Sequence, residues 1–235
     1  MAIQQQLLAA VEGHRGTKAA DRICEACVVH LNIDAAAISL IFDGLPTGTL
    51  GSSSAWARRL DELQFTLGEG PCVDSIAQRA AVLVVDLADP VERRWPAFSP
   101  AMLAQQIRGV FALPVVVAGE YVGALDLFCH QPGPLDHENL AGAVAAADVA
   151  GIPLLDLLGA DFQAAIGDPS SSAWTDLNAL SRAEVSQATG MLVAQLDIDP
   201  AEALVRLRAH AYATGRSATD VARDILDRRI QLESD

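Results

Sequence analysis

Residues 181–232 read SRAEVSQATGMLVAQLDIDPAEALVRLRAHAYATGRSATDVARDILDRRIQL, and each of three helical periods in this stretch has its own start signal. Ser181 and Glu184 stand at capping-box spacing, a hydroxyl for the third backbone N–H and a carboxylate reaching back. Asp199, Pro200 and Glu202 offer an N-cap, a first-turn proline and the same reciprocal acid. Ser217 and Asp220 repeat the device more weakly, and Gly215 stands where the second helix needs a left-handed exit. The spacing predicts a small all-α bundle with little room for a catalytic cleft.

The first of these helices has two faces. Val185, Ala188, Leu192 and Leu196 recur at core spacing. Ala183, Gln187, Gly190 and Ala194 lie roughly opposite, and a mid-helix glycine costs about 1 kcal/mol against alanine. Gly190 therefore serves either close packing on a neighbouring helix or the approach of a broad ligand such as a nucleic-acid base. In the second helix Leu204, Leu207 and Ala211 form the inward stripe. Arg208 and Tyr212 are one turn apart on one flank, Arg206 and His210 on the other. A guanidinium beside a ring can pair with phosphate and stack on an unpaired base; a solvated i,i+4 pair is the plainer alternative.

Gln187-Ala188-Thr189-Gly190-Met191, then Glu202-Ala203-Leu204 with Leu207-Arg208, then Asp220-Val221-Ala222 resemble the ANTAR domain, a family of RNA-binding transcription antitermination regulators. The resemblance covers Arg182 to about Ile230 and touches all three helices. It implies contacts to RNA stem-loops with small loops, paired hairpins being met by the two bundles of a homodimer. The residues that fit this role are Arg182, Gln187, Ala188, Thr189, Gly190, Met191, Arg208, Tyr212 and Arg216. Thr189 stands where the family often has lysine, which removes one phosphate contact.

Working outward, the whole chain has 235 residues, 51% of them hydrophobic and 20% charged, as expected of a folded protein and not a disordered one. A net charge of −14 is hostile to nucleic acid, but its distribution is uneven. From Ser181 onward seven arginines face nine acids, so most of the acidity belongs to the first part. Binding must then rest on local contacts and depend on salt. No basic-then-apolar leader and no run of eighteen apolar residues is present, so the expectation is a cytoplasmic protein without a membrane partner. Cys24, Cys27 and His30 have ligand-like spacing, but no second cluster completes a site, so neither a metal nor another cofactor is expected.

Before the bundle, the order of elements is a helix over 17–31, a buried strand over 35–42 and a hairpin partner within 48–54. A helix follows over 55–63, then a loop over 65–70 leading into a helix at Pro71. Next come a strand over 81–85, a helix over 95–106 and a hairpin of 110–118 with 121–128. That order, with Leu67-Gly68-Glu69-Gly70-Pro71-Cys72, Phe111-Ala112-Leu113-Pro114 and Val122-Gly123-Ala124-Leu125, resembles a GAF domain. GAF domains are sensors with a pocket between the sheet and its covering elements. The resemblance makes Phe65, Glu69, Cys72, Trp95 and Phe111 candidates to line such a pocket for an unknown small-molecule or redox signal. Cys72 at a helix start is a thiol whose pKa the helix dipole would lower. Its plainer reading is packing, since no base or oxyanion donor is assignable beside it.

After Gln131-Pro132-Gly133-Pro134 a long helical stretch carries Leu140, Val144, Ala147, Gly151, Leu154 and Leu158 at alternating spacings of four and three. This is a coiled-coil-like seam that serves either a homodimer or the chain's own sheet. Pro153 is expected to kink the stretch or start a new helix. Residues 167–172 read as a linker, and Trp174 either packs on the bundle or continues its first helix backwards from Ser181.

The expected organisation is α+β: a GAF-like antiparallel sheet with helices over 1–135, a helical connector and linker over 136–170, and an ANTAR-like three-helix bundle over 171–235. The expected function is a non-catalytic, signal-responsive antitermination regulator that binds RNA. Two alternatives are a DNA-binding regulator with a basic recognition helix, and a cysteine-dependent redox enzyme or sensor.

Overall fold

The run Ala35–Phe42 is apolar at every position but Ser39 because both of its faces are covered, and it lies inside a five-stranded sheet. In the computed structural model, which describes residues 3–42, 45–158 and 182–232, the strands are β1 (Ala35–Phe42), β2 (Leu45–Ser52), β3 (Val82–Val84), β4 (Gly109–Val117) and β5 (Glu120–Cys129). Their order is β2-β1-β5-β4-β3, and every pairing is antiparallel. Both expected hairpins form.

Alternation along the strands divides the core. Ile38, Phe111, Leu113, Leu125 and Leu127 face α1 (Ile3–Val11), α2 (Gly16–His30) and α6 (His137–Leu158). Ala35, Ala37, Val110 and Phe128 face α3 (Ala55–Leu67) and α5 (Phe98–Ala104). Ala124 packs with Cys72 and Ile76 of α4 (Pro71–Gln78) on that same side. The close approach of α2 needs Gly51, where an added Cβ would lie 2.5 Å from the Ala20 backbone. Asp21 then accepts the Ser52 N–H at 2.8 Å, tying the helix to the edge strand.

Several local expectations change. No element is expected before residue 17, but Ile3, Leu7, Ala10 and Val11 stand at helical spacing there, and α1 packs them on the core. The first helix of the bundle starts after Arg182, whose side chain makes no cap bond; Ser181, the expected cap, lies outside the described residues, and Glu184 accepts from Arg223. Phe65, Thr66 and Leu67 are the last turn of α3, not a loop; the helix ends one residue later, at Gly68 with φ +69°. Pro153 lies inside α6, which runs on to Leu158 without a new start. The stretch His137–Asp156 is long and apolar enough to cross a membrane by composition, yet half of it is buried against the protein's own core.

The α6 seam is mostly internal. Ala147, Gly151 and Leu154 are buried, and Gly151 lies where an added Cβ would meet Val117 at 3.0 Å. Of the residues expected to form a dimer seam, Leu140 is half-buried and Val144 is exposed; the Leu158 side chain, like residues 167–172 and Trp174, falls outside the described residues. Among the described side chains, the large apolar ones that α6 exposes are Val144, Ile152 and Leu155.

The bundle comprises α7 (Ala183–Leu196), α8 (Pro200–Thr214) and α9 (Ala218–Leu226). Val185, Ala188, Leu192, Ala203, Leu207, Ala211, Val221, Ala222 and Ile225 fill its core. Phe65 of α3 belongs to the same cluster, so the bundle is built onto the third helix of the sheet domain.

Candidate nucleic-acid interface

The second and third bundle helices start as their caps dictate. The Asp199 side chain accepts the Glu202 N–H at 2.8 Å, with Pro200 in the first turn, and Ser217 Oγ accepts the Asp220 N–H at 3.0 Å. Gly215 closes α8 at φ +64°.

On this frame the expected RNA-contacting residues separate into two groups. Gln187 and Gly190 are exposed on α7, and nothing lies within 4 Å of an added Gly190 Cβ. Close helix packing is therefore not the reason for that glycine. Thr189 is half-buried and its hydroxyl donates to the Val185 carbonyl at 2.7 Å. Ala188 is fully buried in the bundle core and Met191 packs against that core, so neither side chain is displayed as an RNA contact would require. On α8 the Tyr212 side chain is 62% exposed. Tyr212, Gly215 and Arg216 line a cleft of about 790 Å³ whose far wall is Arg58, Arg59 and Glu62 of α3. Arg216 is held 2.7 Å from Asp224.

The second group faces the sensor. Arg182 is not on an open surface: its side chain is 7% exposed. Its Nε donates to Glu62 Oε2 at 2.9 Å, and its Nη2 to Asp61 Oδ2 at 3.2 Å and Thr49 Oγ1 at 3.5 Å. The guanidinium carbon is 4.1 Å from the centroid of the Phe65 ring, and that of Arg208 is 4.7 Å from the same centroid. Burial lowers the Arg208 pKa, the neighbouring Arg182 charge lowers it further, and Glu62 opposes both. Two further bonds close the contact: the Ala218 N–H donates to Thr66 Oγ1 at 3.0 Å, and the Thr219 hydroxyl to Glu62 Oε1 at 2.7 Å.

Behind Asp61 a buried polar network continues into the sheet. Asp61 accepts from Ser39 and Thr49 through its two oxygens. Ser39 Oγ also lies 3.4 Å from Asp126 Oδ2, which accepts from Gln64 Nε2 at 3.2 Å. Gln64 Oε1 in turn accepts the Cys72 N–H at 2.9 Å. Asp126 is fully buried; burial pushes its pKa well above the carboxylate range, and the Asp61 charge adds to this. Asp126 Oδ1 and Arg182 Nη1 have no hydrogen-bond partner among the described residues.

The five expected pocket residues do not share one pocket. Phe65 faces the bundle. Glu69 accepts the Ala97 and Phe98 N–H groups at 2.6 and 2.7 Å and so fixes the start of α5. Trp95 is core, edge-on to Phe98. Phe111 is on the opposite sheet face, with α2 and α6. Cys72 is buried, and its thiol pKa is raised well above normal by burial and then by Asp126 and Asp61, the reverse of the expected helix-dipole effect. Cys129 packs with the α2 and α6 cluster, across the sheet from Cys72. Cys24 and Cys27 turn into that cluster while His30 is exposed, so the ligand-like spacing is a core stripe.

The residues that sequence reading missed are Ser39, Thr49, Asp61, Glu62, Gln64 and Asp126. Asp126 alone carried a signal, an acid within the apolar run 122–128.

Comparison with known proteins agrees with both halves. Residues 17–153 match the GAF domain and residues 178–226 the ANTAR domain. The GAF domain of a phosphoenolpyruvate-protein phosphotransferase from Coxiella burnetii is similar in structure, with 18% identity, TM-score 0.54, and 69% of this chain and 95% of that chain covered. The GAF domain of an Acinetobacter phosphoenolpyruvate-protein phosphotransferase has 13% identity and TM-score 0.49, with 65% and 91% covered. A type II free methionine-R-sulfoxide reductase from Thermoplasma acidophilum has 14% identity and TM-score 0.44, with 66% and 96% covered. No curated protein matches the chain by sequence.

Proposed function

The chain belongs to the GAF domain family and carries an ANTAR domain behind it, and from that premise we propose a signal-responsive antitermination regulator that binds RNA stem-loops in nascent transcripts. The observation that carries this reading is the ANTAR match across all three bundle helices. The work is preferential binding of one RNA fold over another, which needs no catalytic group. The exposed Tyr212 ring supplies a stacking platform, Gln187 a base-edge partner, and Gly190 bare backbone for close approach. Arg208 supplies a cation one turn from Tyr212 once it leaves Phe65.

The burial of Arg182 and the Arg208–Phe65 contact make this arrangement a held state, in which the sensor competes with RNA for the bundle's cations. Duplex DNA is disfavoured as the partner because two of the three arginines of α9 and its end are matched by acids: Arg223 pairs with Glu184 and Asp220, and Arg229 with Asp224 and Asp227, which leaves Arg228 alone without an acid among the described residues. A homodimer with one hairpin on each bundle raises apparent affinity through effective concentration. The test is competition binding with the full chain. A tandem hairpin RNA is expected to bind more tightly than either single hairpin, with matched duplex DNA a poor competitor. Tyr212→Ala and Arg208→Ala are each expected to cost about 1–3 kcal/mol of RNA binding. Equal competition by duplex DNA, or wild-type affinity in both variants, overturns the reading.

A further inference from the structure

The sensor's polar network holds a guanidinium that belongs to another domain. Asp61, Glu62 and Thr49 bond the Arg182 side chain, and the Phe65 ring lies against its plane-forming carbon. Carboxylates on one side and an aromatic ring close by are the set that recognises an organic cation. The set is built into the sensor, not the bundle: Thr49 comes from β2, and Asp61, Glu62 and Phe65 come from α3. Ser39 extends it to Asp126, whose buried Oδ1 has no hydrogen-bond partner among the described residues, and the buried Nη1 of Arg182 has none among them either. Arg182 therefore fills the site without satisfying it. The residue also sits at φ +43°, a left-handed conformation that arginine adopts at a cost, right at the start of α7.

We propose that this network is a ligand site of the sensor for a small organic cation of the guanidinium or primary-amine class, and that Arg182 occupies it as a tethered stand-in. A free cation replaces Arg182 charge for charge, so the buried carboxylates stay compensated during the exchange. Its binding withdraws the salt-bridged anchor of α7 from the sensor, and the link of this event to RNA release or capture rests on the functional reading above. The cation site itself is independent of that reading, and its test uses no RNA.

The experiment compares wild type and Arg182→Ala as full chains, titrated with methylguanidinium chloride and with agmatine at constant ionic strength. Methylurea is the uncharged control, and heat of binding and melting temperature are read. Arg182→Ala empties the site, so saturable binding of methylguanidinium is expected, with an apparent Kd at least about tenfold below that of wild type, where the tethered arginine competes. Asp61→Asn placed in the Arg182→Ala chain is expected to abolish the response. Equal, non-saturating behaviour of methylguanidinium and methylurea in Arg182→Ala overturns the proposal. Should Arg182→Ala fail to fold, wild type is read by hydrogen exchange at the Ala218 amide, which Thr66 accepts. Agmatine is expected to speed that exchange saturably, and an unchanged rate overturns the proposal.

Discussion

Asp126 and Gly190 each break a local rule, and their surroundings say why. Asp126 is an acid in the middle of a buried strand, bonded to Gln64 and Ser39. Its pKa is raised in the folded protein, so above the usual carboxylate range the folded state holds a proton that the unfolded state has lost. The stability this group contributes is fully present below the ordinary aspartate value of 3.8 and is lost as pH rises through the folded pKa. Asp126→Asn removes that titration while keeping an acceptor for Gln64. The expected result is a melting temperature that falls less steeply with rising pH above 4 than in wild type; parallel profiles would mean that Asp126 ionises normally. Gly190 sits in the middle of α7 with open space where a Cβ would be. Gly190→Ala is expected to stabilise the chain by about 1 kcal/mol in thermal melts. If the bare backbone serves RNA, the same variant binds the hairpin more weakly; a gain in stability with unchanged affinity would assign the glycine no part in recognition.

At the scale of elements, the helices with local punctuation were legible and the helix with two partners was not. Asp199, Pro200, Gly215 and Ser217 act on their own backbone neighbours, so their meaning is fixed within a few residues. Helix α3 packs on the sheet through Ala57 and Leu60 and on the bundle through Phe65. The following Gly68-Glu69-Gly70 drew its last turn toward a loop reading. Arg182 is expected at the RNA contact, and its burial on Asp61 is beyond a sequence reading because the two lie 121 residues apart, a separation that no local pattern encodes. Helix α6 shows the same limit: its seam spacing is real, but most of the seam belongs to the chain's own core. Leu154→Ala is therefore expected to destabilise the fold by about 2–5 kcal/mol. Val144 and Leu155, 48% and 54% exposed, remain for a partner copy. Changing both to Glu is expected to give a folded monomer by light scattering if this face holds the dimer. A dimer that survives the pair of glutamates would place the interface elsewhere.

For the whole molecule, the consequential feature is that one ring, Phe65, belongs to the sensor by sequence and to the bundle by packing. Arg208 rests on it, so under the proposed function the free energy Arg208 would offer to RNA is partly spent on the sensor. Phe65→Ala removes the ring from both Arg182 and Arg208 without altering any residue assigned to RNA. If sensor and RNA compete for these cations, Phe65→Ala tightens hairpin binding by the full chain. Arg208→Ala then costs more in the Phe65→Ala background than in wild type, because only there is the guanidinium already free. The two changes are thus coupled, and a double-mutant cycle on RNA affinity reads the coupling directly, expected at about 0.5–3 kcal/mol for groups in contact. Salt separates this from a general loosening of the fold. Losing one phosphate contact flattens the dependence of log affinity on log salt by about one counterion. Arg208→Ala should produce that flattening in the Phe65→Ala chain and less of it in wild type. Additive effects and equal salt slopes in the two backgrounds would show that Arg208 meets RNA without first leaving Phe65, and the held-state reading would then fail while RNA binding itself stood.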